Sequence, residues 1–329
     1  MATRLGIMSF AHLHAHSYAA TCSHLPQVDF AGIWDDDPAR GAEMARQHGT
    51  DFYEDPADLL SRVDGVIVTS ENANHRRDVL AAAQAGVHVL CEKPISVSVP
   101  DGQAMIDGCE AAGVKLMIAF PCRYSAAFLG ALETVRAGGI GEIVCIMGTN
   151  RGRNPGGWFN DVKLAGGGAV MDHTVHVVDL MRLLLGQEVG KVYAEMDTRL
   201  DPSLPCDDCG VLTMNFEGGC KATLDASWSR PPHYPIWGDV TMAIMGTGGN
   251  IWLDLFVERV EHYANAGASY TWASYGDDLD ALLIADFVKC VESHAPVPIT
   301  GRDGLKAMEV ALGAYRAADA GQPVALPLQ

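Results

Sequence analysis

The chain has 329 residues, 48% of them apolar and 19% charged, with a net charge of −18. That is enough for one large or two ordinary domains around a substantial core, and the acidity argues against nucleic acid or an anionic membrane surface as a partner. No apolar run is long enough to span a bilayer, Met1-Ala2-Thr3-Arg4 leads straight into a short strand instead of a signal sequence, and nine scattered cysteines fit reduced thiols in a cytoplasm better than a disulfide framework.

Residues 5–8, 28–34, 65–69, 87–90 and 116–120 are apolar nearly throughout, as strands covered on both faces should be. Helical patterns fill the gaps. Residues 38–48 open with Asp37 as N-cap and Pro38 in the first position, 74–84 are alanine-rich and run out at Gly86, and 100–112 stop at Gly113. The alternation predicts a doubly wound parallel sheet, an α/β Rossmann-type domain over residues 1–121. From residue 122 to 329 the rhythm changes. A helix at 125–137 ends in Gly138-Gly139, a strand follows at 142–148, and a glycine-rich loop leads into a long helix at 169–185. Alternating or apolar runs at 191–198, 210–215, 221–227, 240–245, 250–255 and 257–263 read as strands, with turns at 215–220 and 246–249. Helices at 277–293 and 302–320 close the chain. The second domain is therefore expected to be α+β, built on a large, mostly antiparallel open sheet with helices on one face. Its other face is left for a second subunit, in a homodimer or homotetramer.

Cys91-Glu92-Lys93-Pro94 ends the fourth strand of the first domain. Proline stops the ladder, so Lys93 is held at the carboxyl end of a strand, where open α/β sheets bind ligands. A lysine there can donate a proton or hold an oxygen; a surface ion pair is the competing reading. The turn after the first strand is Ser9-Phe10-Ala11-His12-Leu13-His14, in which all three glycines of a dinucleotide fingerprint are replaced. A helix N-terminus remains there for an anion, and His12 and His14 can add donors. His12 and His16 also have the spacing of helical metal ligands, but no third ligand lies nearby in sequence, so no metal is expected. Asp35 ends the second strand, where an acid accepts from a ribose hydroxyl, which favours NAD over NADP; Asp36 and Asp37 deepen that bias, although Asp37 is also an ordinary helix cap. Ser70, Asn72 and His75 follow the third strand and are either cofactor contacts or helix caps.

In the helix at 169–185, Asp172, His176 and Asp179 fall on one stripe of an otherwise apolar surface. A buried polar stripe is costly without a purpose, and an aspartate one turn before a histidine can orient its ring as a general acid/base pair. A satisfied core histidine is the plainer alternative. A zinc site joining His173 and His176 to Cys206 and Cys209 is a third reading, with no fixed geometry behind it. Trp158, His233, Tyr234 and Trp237 sit in loops of mixed aromatic and polar character that suit stacking on a sugar ring, packing or subunit contact.

The strand-end Glu92-Lys93-Pro94, the upstream Ser70, Asn72 and His75, and Gly166-Gly167-Gly168 before Asp172, His176 and Asp179 together resemble the Gfo/Idh/MocA oxidoreductases, the glucose–fructose oxidoreductase and inositol dehydrogenase family. The resemblance extends over the whole chain, through Arg123-Tyr124 to the closing Gly321-Gln322-Pro323. It implies a nicotinamide cofactor, NAD in preference to NADP, and hydride transfer at a carbinol or ketone of a sugar, polyol or related small molecule. It places Lys93, His176 and Asp172 in catalysis. Ser9, Phe10, Ala11, His12, Asp35, Ser70, Asn72, His75, Glu92, Lys93 and Pro94 are implied at the cofactor. Arg123, Tyr124, Trp158, Asp172, His173, His176, His233 and Tyr234 are implied at the substrate. Some relatives use the cofactor transiently to cleave a glycosidic bond, and a redox-neutral enzyme or a non-catalytic ligand-binding protein remains the alternative.

Overall fold

The computed structural model describes residues 2–256, 258–264, 269–293 and 295–328. The chain forms two compact units, one of residues 1–121 with 278–305 and the other of residues 122–277 with 306–329.

The first unit opens with β1 (Thr3–Met8), α1 (His14–His24), β2 (Val28–Trp34), α2 (Pro38–His48), β3 (Phe52–Tyr53) and α3 (Pro56–Leu60). It continues with β4 (Gly65–Val68), α4 (His75–Gln84), β5 (His88–Cys91), α5 (Val99–Ala112) and β6 (Leu116–Ile118). The six strands lie in the order β3-β2-β1-β4-β5-β6, and every pairing is parallel. Strand order therefore reverses between β1 and β4, which puts the binding crevice of such a sheet beyond their carboxyl ends. Val66, Ile67, Val68, Val89 and Leu90 have no exposure, as a sheet covered on both faces requires. Asp37 caps α2 through the N–H groups of Ala39 and Arg40, with Pro38 next, as the sequence predicts.

The second unit begins with α6 (Ala126–Arg136), β7 (Ile143–Gly152), α7 (Val162–Ala165) and α8 (Ala169–Leu185). Strands β8 (Val189–Asp197), β9 (Cys209–Phe216), β10 (Lys221–Ser227), β11 (Gly238–Gly246) and β12 (Asn250–Asp254) follow, then the hairpin of β13 (Arg259–Ala264) and β14 (Ser269–Ser274). The chain ends through α9 (Leu279–Glu292), α10 (Gly301–Ala320) and β15 (Val324–Ala325). Seven strands make one sheet in the order β12-β11-β7-β10-β9-β8-β15, antiparallel except where β10 meets β7. Ile146, Leu224, Leu212 and Ile244 turn inward, and α8 covers that face. Gly148 lets α8 come close: a Cβ there would stand 2.8 Å from Val177 and 2.9 Å from Met181. On the opposite face Met147, Val211 and Trp252 are exposed.

Several boundaries differ from the sequence reading. The strand expected at 142–148 runs on to Gly152, because a glycine does not break a ladder whose neighbours pair on both sides. The two-residue strand β3 is too short to carry a period. Val257, the first residue of the run at 257–263, lies outside the described residues, and the strand is seen from Arg259. Residues 278–305, assigned by sequence to the second domain, pack with the first unit. Phe287 lies against Gly65, Ser17 Oγ donates to Asp280 at 2.6 Å, and Thr300 pairs with Met117. No described helix is long and apolar enough to cross a membrane.

Candidate functional site

At the switch point of the first sheet, Ser9 takes a left-handed φ of 75°, which a glycine adopts without strain and a serine rarely does. The turn is held by its own hydrogen bonds. Ser9 N donates to Trp34 O at 2.7 Å, Phe10 N to Asp35 Oδ2 at 2.8 Å, Ala11 N to Ser9 Oγ at 3.2 Å and His12 N to Thr69 O at 3.0 Å. His14 N donates to His12 Nδ1 at 3.1 Å. A neutral His12 therefore carries its proton on Nε2.

Asp35 is not placed as the sequence predicts. Its carboxylate has no exposure and already takes Phe10 N, Asp37 N at 2.9 Å, and a fork from Arg40 at 2.8 and 2.6 Å. It fastens the β1 turn to α2 and is not free for a ribose. The exposed acid at this strand end is Asp36, between Arg40 at 3.2 Å and Arg77 at 3.3 Å. Arg77 also lies over the Trp34 ring at 5.5 Å. Ser70 and His75 are likewise framework. Ser70 Oγ donates to the buried Asp78 at 2.6 Å. The fully buried His75 sits with Nδ1 3.0 Å from Pro94 O and Nε2 3.1 Å from Ser70 O, tying the β4 turn to the β5 turn. Asn72 is buried in a single 3₁₀ turn just before it.

Glu92 is fully buried at the end of β5, and Lys93, the next residue, is 4% exposed. Glu92 accepts from Tyr18 Oη at 2.5 Å, His14 Nδ1 at 2.9 Å and Lys93 N at 2.9 Å. His12 Nε2 stands 3.9 Å from its other oxygen, so ligand-type atoms of His12, His14 and Glu92 lie within 4.8 Å of one another. His16, the helical partner expected for His12, packs on Phe10 instead. Burial pushes the Glu92 carboxyl up, but His12, His14 and Lys93 outweigh it and hold it well below the usual range. Burial opposes the His14 proton, and Glu92 overcomes that and raises it. The depressed Glu92 contributes stability above the ordinary carboxyl range, lost as pH falls through its folded value. The raised His14 contributes below the ordinary imidazole range, lost as pH rises through its folded value. Melting of the wild type should therefore peak between those ranges, and Glu92→Gln should flatten both limbs. Parallel pH dependence in the two proteins would contradict this coupling.

In the second unit, α8 is capped from far along the chain. Asp207 accepts from Gly168 N at 3.0 Å and Val170 N at 2.8 Å, and Tyr315 Oη accepts from Gly168 N and Met171 N while donating to Asp207 at 2.7 Å. A Cβ on Gly168 would stand 2.0 Å from Asp207 O, which is why the helix must start on glycine. Asp207 thus has a structural task, Cys206 lies in an apolar cluster with Phe159, Ala169 and Trp228, and Asp208 takes three backbone N–H groups. These contacts give Cys206, Asp207 and Asp208 structural tasks in that loop.

Along α8, Asp172 accepts from Trp228 Nε1 at 3.1 Å and lies 3.3 Å from His173 Nε2. His176 Nδ1 has Cys122 Sγ 4.0 Å away. Arg123, expected at the substrate, forms a fork on the fully buried Asp179 at 2.6 and 2.5 Å, and Tyr124 beside it is half-buried. Trp158 is half-buried, stacks on Phe159 at 4.0 Å and packs on the Phe159–Ala169–Cys206–Trp228 cluster. His233 is exposed, and Tyr234 lies beneath the Arg230 guanidinium at 4.1 Å. Sequence reasoning missed Asp207 and Tyr315, as well as Arg40, Arg153 and Arg230.

Residues 5–120 match the family described as "Oxidoreductase family, NAD-binding Rossmann fold", and residues 128–252 match the "GFO/IDH/MocA C-terminal domain". The chain belongs to the Gfo/Idh/MocA oxidoreductases. Among its relatives in this family, the myo-inositol 2-dehydrogenase of Thermotoga maritima is 28% identical over 86% of this chain and 87% of its own. A D-xylose 1-dehydrogenase (NADP(+)) of Haloferax volcanii is 29% identical over 90% of this chain and 91% of its own. A crystal structure of a probable dehydrogenase from Thermotoga maritima superposes with a TM-score of 0.85 at 26% identity, over 98% of both chains.

Proposed function

We propose that this Gfo/Idh/MocA protein is an NAD-dependent dehydrogenase or reductase acting on a carbinol or ketone of a sugar, polyol or sugar derivative. The observation that carries the reading is Lys93: an almost fully buried ammonium at the carboxyl end of β5, beside the switch point of a dinucleotide-type sheet. Sugar and polyol dehydrogenases among the relatives support the substrate class. The turn fits a dinucleotide. Leu13 N–H at the start of α1 has no acceptor among the described residues, and half-buried His14 stands beside it. Ser9, Phe10, Ala11 and His12 shape that seat with their backbone, and His75 sets the Pro94 turn. The bound nicotinamide supplies the hydride acceptor or donor. Lys93 in the first unit and His176 in the second are each candidates for moving a hydroxyl proton or holding a substrate oxygen. Asp172, fixed by Trp228, binds a neighbouring hydroxyl or sets the imidazole.

The adenosine end favours NAD. Asp35 and Asp36 pair with Arg40 and Arg77, Asp78 takes Arg77 as well, and Asp37 adds a helix-capping carboxylate beside them, so a ribose 2′-phosphate meets net negative charge. The expected kcat/KM ratio is about tenfold or more for NAD over NADP, and Asp36→Ala should shrink it. A ratio unmoved by Asp36→Ala would remove that acid from cofactor choice. Asp35→Ala would break the Arg40 fork and leave Phe10 N without its acceptor, and is not the informative variant.

The face of the seven-stranded sheet carrying Met147, Val211 and Trp252 is the proposed contact of a homodimer or homotetramer. Nine free thiols, seven of them buried, support a cytoplasmic setting.

A further inference from the structure

Where β7 ends and β11 begins, Arg151, Arg153 and Arg230 gather in a strongly acidic protein. Arg230 N donates to Gly152 O at 2.8 Å, and Arg153 N donates to Trp237 O at 3.2 Å. Both side chains turn to Tyr234: Arg153 Nη2 donates to its carbonyl, and the Arg230 guanidinium covers its ring at 4.1 Å. Asp239 is 5% exposed and serves both Arg230 and Arg151, the latter at 3.4 Å, with Asp225 3.9 Å from Arg151 and both Asp225 and Asp254 acting on Arg230 from farther off. Among the described residues Arg153 has no carboxylate partner. The Nε–H groups of Arg153 and Arg230 are both shielded from solvent and have no acceptor. A buried guanidinium donor without an acceptor is expensive, and two of them beside an uncompensated charge call for an anion.

The place joins the α8 site. Gly152, between Arg151 and Arg153, lies against the ring of His173: a Cβ there would stand 2.9 Å from its Cε1. His173 in turn is 3.3 Å from Asp172. We propose that Arg153 and Arg230 bind a compact anionic group of the substrate, a carboxylate or phosphate, so that this enzyme acts on acidic sugar derivatives such as hexuronates, aldonates or sugar phosphates. The inference rests on the dehydrogenase reading and narrows its substrate.

The test is calorimetric titration of the full chain, with NAD present, using D-glucuronate, D-gluconate, D-glucose 6-phosphate and neutral D-glucose. At least one anionic probe should bind about tenfold or more tighter than glucose. A preference for glucuronate or gluconate identifies a carboxylate, and one for glucose 6-phosphate a phosphate. Arg153→Gln should abolish the difference with NAD affinity unchanged, and Arg153→Lys, which keeps the charge and tolerates the fold, should retain part of it. Binding of none of the four, equal binding of glucose, or discrimination that survives Arg153→Gln would overturn the proposal. NAD reduction by neutral polyols alone would leave the dehydrogenase reading standing while this one falls. Arginine-dependent anion binding without any NAD reduction would do the reverse.

Discussion

Replacing Lys93 by alanine is expected to lower kcat by about 10²–10⁴-fold, the usual worth of a positioned proton-transfer group, while NAD affinity changes by about twofold or less. The separation of the two effects follows from the strand end. The backbone N–H of Lys93 anchors Glu92 at 2.9 Å and survives the substitution. Glu92 is held ionised chiefly by His12 and His14, with Lys93 the smaller influence, so the buried carboxylate keeps its partners when the ammonium goes. His75 continues to tie the Pro94 turn to Ser70 through its ring. Loss of the side chain therefore removes one group at the mouth of β5 without loosening the turn around it. Steady-state turnover and a calorimetric NAD titration on the same preparation make the comparison. Wild-type kcat in Lys93→Ala would remove the residue from the chemistry, and joint loss of NAD binding would make it a cofactor anchor.

Arg123→Ala should destabilise the protein by about 3–5 kcal/mol, the range for breaking a buried ion pair from one side. Asp179 has no exposure, and its carboxylate loses a two-pronged partner at 2.6 and 2.5 Å. The loss comes from stranding a charge rather than from the pair's own strength. Arg123→Met combined with Asp179→Leu should accordingly recover most of it. Urea unfolding of the single and double variants measures both. A single variant within about 0.5 kcal/mol of wild type, the ordinary surface range, would contradict the assignment of Arg123 to structure and return it to the substrate.

Apolar periodicity made most of the architecture legible. Runs such as Gly65–Val68 are buried on both faces and read as parallel strands, and the helix Ala169–Leu185 was bounded by Gly168 and Gly186. The polar stripe on that helix was legible for the same reason, since Asp172, His176 and Asp179 interrupt a surface otherwise made for burial. Partners distant in sequence left no local trace. Trp228 reaches Asp172, and Asp207 and Tyr315 cap α8, from loops and a helix whose relation to it only the tertiary fold decides. Asp35 shows how position misleads about availability. It stands at the strand end where a ribose acid belongs, yet Arg40, across a capped helix start, takes both its oxygens. Arg153 and Arg230 were hidden because neither lies on a periodic element, and only their unfilled donors mark them.

The most direct test of hydride transfer uses sugars, polyols and sugar acids deuterated at carbon, each incubated with the protein and NAD and followed by mass spectrometry of the nicotinamide. The account predicts one deuterium on the reduced ring from at least one compound with wild type, and none with Lys93→Ala. Unlabelled cofactor throughout, with substrates left intact or turned over by another route, would contradict it.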